Sequence, residues 1–482
     1  MMRRRHFLQY GLAATALPTI SFQSRADLAE NWDVIVIGAG SAGLYAARHL
    51  LNQGYRVLIL EASQRHGGRV FSQTLGETRL DMGAEEHYTQ KNNPVYDAVV
   101  EKFGSESYVR FYVGDTLLSM DGGNTCWENT GSCYQDTDIK NYWDYWKHYG
   151  NRGQHTDFSI STAEDILAHY GVKKGHRAYH LYDGGFAGSI YGTSLDKLGA
   201  ASLAQQDWIW TLSNDIRGLG NKRLGYLDVL NEIWWNPILP HVRLNTPVTR
   251  VSALGPGVIV TDAYEKNYKA QKTIVTASIG VLQSEAIQFT PVLPEATINA
   301  YRNIGMGKGM KIALRFSKPF WDTKLTYFVH EGLTSCGWIP TSYKVDATDH
   351  IIMCYPMGDN ALTLAKRTAG DGESMIKIAL SELDLVFSGK PSRTYVDGIV
   401  QDWTATRYVE GTYSYPMPNT YDSHGNSMRQ QLAKPVLDKI FFAGEGTNHH
   451  NPSTVPGAIQ EGIRAAKAVD TLLQGSSSSQ NI

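Results

Sequence analysis

Four cysteines in 482 residues are too few for the disulfide framework that holds small secreted folds together. After the first two dozen residues no apolar run approaches the roughly 18 that a membrane span needs. There is no charge surplus either. Lys and Arg total 45 against 47 Asp and Glu, a net charge of -2, so no overall basic field exists to gather nucleic acid. No internal repeat occurs, and the one low-complexity stretch is Ser476 to Ser479. No Cys-x-x-Cys or His-rich spacing offers a metal site; the adjacent His449 and His450 point apart along the chain and read as loop residues. What the chain has in quantity is glycine (46), tyrosine (27) and tryptophan (11). That composition suits close backbone approaches and aromatic-lined cavities. With 42% hydrophobic residues the chain can bury a large core, and its length suggests two or three domains.

The N-terminus has a basic head, Met1 to Arg5, then a short apolar stretch from Tyr10 to Phe22, the pattern of a secretory signal. Arg4-Arg5, followed by His6, Phe7 and Leu8, resembles a bacterial twin-arginine signal. This implies the twin-arginine export machinery as a partner and a periplasmic or secreted location. In that oxidising setting Cys126 with Cys133, in a Gly/Asn-rich loop, and Cys336 with Cys354, flanking a hairpin, could each be a local disulfide or a pair of buried thiols.

Asp33 to Ile37 is a short apolar run of the kind found in buried parallel strands. Gly38, Gly40 and Gly43 follow in G-x-G-x-x-G spacing, then a helix to about Gly54 and a second strand, Arg56 to Leu60, ending at Glu61. The spacing marks a dinucleotide site. Gly38 turns the chain, Gly40 admits a pyrophosphate, Gly43 lets helix pack on strand, and the helix start at Ser41 offers free N–H groups. Glu61 can accept from a ribose. The fingerprint alone does not separate NAD from FAD.

An irregular aromatic region follows, including Asn141 to Trp146 and Trp208 to Trp210, which read as helix faces. The αβ rhythm returns at Val242–Leu244, Val258–Val260 and Thr273–Thr276, lapses again after Pro291, and closes with the strand at 439–445 and the helix at 457–466. The expected fold is α/β: a discontinuous Rossmann-like dinucleotide-binding domain (31–90, 223–290, 398–473) interleaved with an α+β substrate-binding domain (91–222, 291–397). The signal occupies 1–30 and a disordered tail 474–482.

Several segments in order resemble the flavin-dependent amine oxidase family, which includes monoamine and polyamine oxidases. They are Glu61-Ala62-Ser63-Gln64-Arg65-His66-Gly67-Gly68-Arg69, Asp81-Met82-Gly83-Ala84, Leu244 to Val248, Val275 to Leu282, Gly307 to Ile312, Trp403 with Gly411 to Ser414, and Phe442 to Glu445 with Thr454 to Ala458. The resemblance implies FAD rather than NAD. It places Gly38, Gly40, Ser41, Gly43, Glu61, Ala62, Arg65, Gly68, Arg69, Gly83, Ala84, Val248, Trp403, Gly444, Glu445, Thr454, Val455 and Ala458 around that cofactor. Glu445 would face the ribityl chain and Val248 the adenine. It assigns the chemistry to Lys311, the lysine that holds a water near flavin N5, and to the aromatics Tyr413 and Trp403.

Two positions depart from the family pattern. Thr412 stands where covalent members carry the attaching cysteine, so FAD is expected to be held without a covalent bond. Thr454 stands where monoamine oxidases place a second cage tyrosine, so Trp403 or another aromatic must complete the wall. The segment Glu85-Glu86-His87-Tyr88 falls where related amino-acid oxidases supply an arginine for the substrate carboxylate. Glu85 and Glu86 would instead attract a second ammonium, with Tyr88 and Tyr413 lining the same space. The expected activity is therefore FAD-dependent oxidation of a polyamine or other cationic amine to an imine or aldehyde. Electrons would pass to oxygen, giving hydrogen peroxide, or to a respiratory carrier. An L-amino-acid oxidase and a catalytically silent flavin-binding protein are the alternatives.

Overall fold

The structure is a computed structural model that describes residues 31–89, 93–110, 114–128, 133, 136–139, 162–212, 215–344, 346–422 and 424–478. The expected signal at 1–30 and the aromatic stretch Asn141–Trp146 lie outside these residues.

The nucleotide half is built on a sheet with strand order Val242–Arg243, Val57–Leu60, Asn31–Ile37, Asn267–Val275, and then Ile440–Phe442, all parallel. Asn267–Val275 also pairs antiparallel with Val258–Asp262, which leads on to Val248–Ser252 and Gln288–Thr290. Both faces are covered, which is why the strands read as unbroken apolar runs. Val34 and Val36 pack with Leu44, Ala47 and Ile459 on one face. Ile35 and Ile37 pack with Val275, Ile279 and Phe442 on the other. The helix Ser41–Asn52 lies against the closing helix Val455–Ser478. A Cβ on Gly462 would come within 2.2 Å of the Ala42 carbonyl oxygen, so only glycine permits that approach. The closing helix runs past Leu473 to Ser478, into the segment expected as tail.

The second half centres on a seven-stranded sheet drawn from distant parts of the chain: Tyr395–Asp402, Met310–Phe316, His350–Cys354, Cys336–Trp338, Leu325–Val329, Asp115–Met120 and Asn124–Trp127. Strand alternation assigns its two faces. Met310, Ile312 and Leu314 join Leu364, Met375, Ala379 and Leu383 of the helices Gly358–Arg367 and Gly372–Val386. Lys311 and Ala313 point the opposite way, where Ala313 packs with Met82, Trp338, Tyr343 and Met353. The mixed α/β fold is the expected one, but the strand Tyr395–Asp402 belongs whole to the second sheet and crosses the boundary expected between 397 and 398, because its pairing with Met310–Phe316 continues to Asp402. Cys126 and Cys133 are joined as a disulfide with Cα atoms 5.3 Å apart, whereas Cys336 and Cys354 are free and buried. Burial pushes the Cys336 thiol up to about 12, so it stays an inert packing group.

Candidate active site

One cavity of about 1330 Å³ runs from the carboxyl ends of the parallel strands to the inner face of the seven-stranded sheet. The crevice beyond the carboxyl ends is where open α/β sheets bind ligands. Of the residues expected around cofactor and substrate, all but Gly43 line this cavity. Gly43 instead supports it from behind: a Cβ there would sit 2.0 Å from the Gly38 carbonyl oxygen.

The nucleotide end has the features a flavin dinucleotide requires. Gly38 turns the chain at φ +103°. The helix Ser41–Asn52 starts after Gly40 with no side-chain cap, leaving its first N–H groups free for phosphate oxygens. A Cβ on Gly40 or on Gly444 would meet nothing within 4 Å, so the backbone there faces open space. Glu61 accepts from Ala39 N (2.7 Å) and from Ser63 N (2.8 Å) and Oγ (2.7 Å), which aims its carboxylate and leaves capacity for a ribose hydroxyl. The Arg65 guanidinium lies 4.2 Å from the Phe71 ring centroid and 5.8 Å from that of Trp403. Among the described residues it has no ion-pair partner. Burial lowers its pKa, and an anion such as a pyrophosphate would relieve that penalty.

Arg69 is not free in the same way, because it donates to Glu445 Oε1 (2.7 Å) and to the Thr412 carbonyl (2.9 Å). Glu445 also accepts from Ser414 Oγ (2.5 Å) and Ser453 N (3.0 Å). Burial would raise its pKa, yet Arg69 and the fully buried Arg429 outweigh that and hold it below the ordinary range. It is a fixed carboxylate, able to accept from polyol hydroxyls. Thr412 Oγ1 is buried beside the cavity and has no hydrogen-bond partner among the described residues. The residues present therefore fit FAD, with Gly38, Gly40 and Ser41 at the phosphates, Glu61 at the ribose and Glu445 at the ribityl chain.

The other end is an aromatic chamber. Trp403 donates to the Met82 carbonyl at 2.8 Å. Tyr413 meets Tyr355, hydroxyl to hydroxyl at 3.4 Å, and donates to the Ser189 carbonyl at 3.3 Å. Tyr88 stacks edge-on to Trp210 at 5.8 Å. Burial drives the pKa of both Tyr413 and Tyr355 upward, with the Glu86 charge adding to it, so both hydroxyls stay protonated. Tyr355 lines the same chamber as Trp403, so both aromatics stand where the departure at Thr454 leaves a wall to be completed. With Trp338 and Gln206, Tyr355 belongs to the wall but carried no sequence signal, since each lies in a segment without a motif; Trp210, expected on a helix face, stands just past the helix Ala200–Ile209 and joins the same wall.

The two adjacent glutamates diverge. Glu86 accepts from the Tyr88 hydroxyl at 3.1 Å and faces the cavity. Its removal from bulk water raises its pKa, an effect partly offset by the Tyr88 hydrogen bond. Glu85, expected beside the substrate as well, is instead the partner of Lys311. Lys311 Nζ donates to Glu85 Oε2 at 2.6 Å and to the Asp81 carbonyl at 2.8 Å. The other Glu85 oxygen accepts from Trp338 Nε1 at 3.3 Å and from the Tyr343 hydroxyl.

A glycine-cradled dinucleotide site opening into an aromatic, carboxylate-bearing chamber defines a flavin-dependent oxidoreductase fold. The family profile described as "Flavin containing amine oxidoreductase" matches residues 41–470, and the chain belongs to that family. Lysine-specific histone demethylase 1B of Mus musculus is 27% identical over 457 residues, which cover 91% of this chain and 53% of that protein. Polyamine oxidase 2 of Arabidopsis thaliana is 28% identical over 458 residues, 90% of this chain and 87% of that one. The chain thus spans about half the length of that demethylase and most of the plant oxidase. Among solved structures, wild-type putrescine oxidase bound to putrescine superposes with a TM-score of 0.73 at 17% identity, covering 92% of this chain and 99% of the other. Cyclohexylamine oxidase from Brevibacterium oxydans IH-35A gives 0.69 at 18% identity, with the same coverages. These likenesses establish the fold.

Proposed function

We propose that the protein is an FAD-dependent oxidase of cationic amines, with polyamines and diamines as the substrate class. The observation that carries this reading is the continuity of one cavity from the nucleotide cradle to a chamber holding Glu86, Lys311, Tyr355 and Tyr413. Bound FAD would remove two electrons and hydrogen from the carbon bearing the amine, and return the electrons to oxygen or a respiratory carrier. The chain's own residues do the rest. The aromatic walls exclude water, which disfavours the charged form of the reacting amine and leaves its nitrogen lone pair available. Glu86 holds a second ammonium on the same substrate. The remaining N–H of Lys311 can hold a water for hydrolysis of the imine.

No arginine stands at the Glu85–Glu86 segment, which disfavours an amino-acid substrate carboxylate at that wall. The plant polyamine oxidase and the putrescine oxidase likenesses support the same class. The test is anaerobic mixing of the purified protein with a panel of diamines, monoamines and L-amino acids while following the flavin absorbance. Bleaching by diamines supports the reading. Bleaching only by amino acids promotes the amino-acid oxidase, and no bleaching by any substrate leaves a silent flavoprotein. Because Thr412 occupies the attachment position, denaturing and filtering the same sample should send the yellow colour into the filtrate as FAD. Colour retained with the protein would overturn non-covalent binding.

The proposed location is periplasmic or secreted, by twin-arginine export in a bacterium. The Arg4-Arg5 signal pattern and the Cys126–Cys133 disulfide support it, since such bonds persist in oxidising compartments. Replacing Arg4 and Arg5 by Lys should trap the protein in the cytoplasm; unchanged export would refute it.

A further inference from the structure

We infer that Glu85 is the positioning residue of Lys311: it holds the lysine stationary in the cavity wall, as half of an ion pair beside the flavin, with one N–H left toward the cavity. This rests on the flavin reading above. A lysine is ordinarily a flexible four-carbon stem with three rotatable donors. Here two of the three are taken, one by Glu85 and one by the Asp81 carbonyl. The Trp338 ring lies 4.9 Å below the ammonium. Lys311 and Glu85 side chains are each only 5% exposed, and the lysine still lines the cavity.

Glu85 is itself immobilised. Trp338 and Tyr343 hold the carboxylate oxygen that Lys311 does not. The backbone before it is locked by Gly83 N to Phe71 O (3.1 Å) and Ala84 N to Arg69 O (3.0 Å). A Cβ on Gly83 would sit 2.0 Å from the Arg69 carbonyl oxygen. Three donors already hold Glu85 and the Lys311 ammonium matches its charge, so the role of meeting a substrate ammonium is left to Glu86, whose only side-chain donor among the described residues is Tyr88. An ion pair serving stability alone would have no reason to stand in the cavity wall. This one bridges the loop that passes the cofactor and the sheet that carries the substrate chamber.

The pair is neutral as a unit, so removing either member exposes one unit of charge to the flavin. Electrons added to the flavin are stabilised by a nearby cation and opposed by a nearby anion, which sets opposite signs for the two single variants. The midpoint potential of the bound flavin should be measured by dye equilibration in wild type, Glu85→Gln, Lys311→Met and the double variant. Glu85→Gln should raise the potential and Lys311→Met should lower it, each changing the oxidised-to-reduced ratio roughly tenfold at fixed dye potential. The double variant should return close to wild type. Glu85→Asp, which keeps the charge, should stay near wild type even where Glu85→Gln folds poorly. Shifts of the same sign in both single variants, no shift in either, or a Glu85→Asp shift as large as that of Glu85→Gln would overturn the inference. A wild-type protein that carries no flavin, or whose flavin no amine bleaches, would refute the functional reading instead.

Discussion

Lys311→Met will melt well below wild type, and adding Glu85→Gln to it will recover much of the loss. The lysine and the glutamate are both withdrawn from water and meet at 2.6 Å. Breaking such a pair by removing one partner typically costs about 3–5 kcal/mol, because the other charge stays buried without compensation. In Lys311→Met the Glu85 carboxylate keeps only Trp338 and Tyr343 as donors. Gln at 85 can retain those donors through its amide oxygen while shedding the charge, so the double variant leaves no ion stranded. Thermal melts of the flavin-bound proteins, followed by tryptophan fluorescence, separate the possibilities. A double variant that melts no higher than Lys311→Met would show that the two side chains do not compensate one another.

The second large effect falls on substrate selection. Glu86→Gln should lower kcat/KM for a diamine about tenfold or more, mainly through KM, and leave a monoamine of equal length nearly unchanged. A near contact between the carboxylate and a distal ammonium is worth about 1–4 kcal/mol, depending on how much water remains. The aromatic walls around Glu86 limit the water that could screen that contact. Glu86→Gln preserves the Tyr88 contact, since an amide oxygen can still accept from the hydroxyl. Equal losses for diamine and monoamine would mean that Glu86 shapes the chamber without reading the second charge.

Locally encoded features were legible in the sequence because their physics acts over a few residues. The strand Asn31–Ile37, the turn at Gly38 and the uncapped helix start at Ser41 follow from an apolar run, a positive φ and small residues at fixed spacing. The acid at Glu61 follows from the length of the helix that separates it from the glycines. Thr412 in place of the attaching cysteine is also a local fact. Even the side of the sheet that Lys311 takes is implied by the apolar Met310 and Ile312 on either side of it.

Other features depended on where distant segments landed. Lys311 and Glu85 are 226 residues apart in the chain, and nothing in either neighbourhood marks the other as a partner. The same holds for Trp338 and Tyr343, which complete the Glu85 site on the face of the seven-stranded sheet that Lys311 shares, and for Tyr355, which reaches Tyr413 from 58 residues away in the chain. Glu85 and Glu86 are indistinguishable as letters, two acids after the same turn. Consecutive side chains diverge from the backbone, so one meets a buried ammonium and the other opens on the cavity. The sequence by itself determined the dinucleotide cradle, the family and the residue types available for chemistry, because these rest on backbone geometry at short range. Only the tertiary structure decided which charges neutralise one another and which remain for a ligand, because pairing in a low-dielectric interior depends on three-dimensional distance and leaves no trace in spacing.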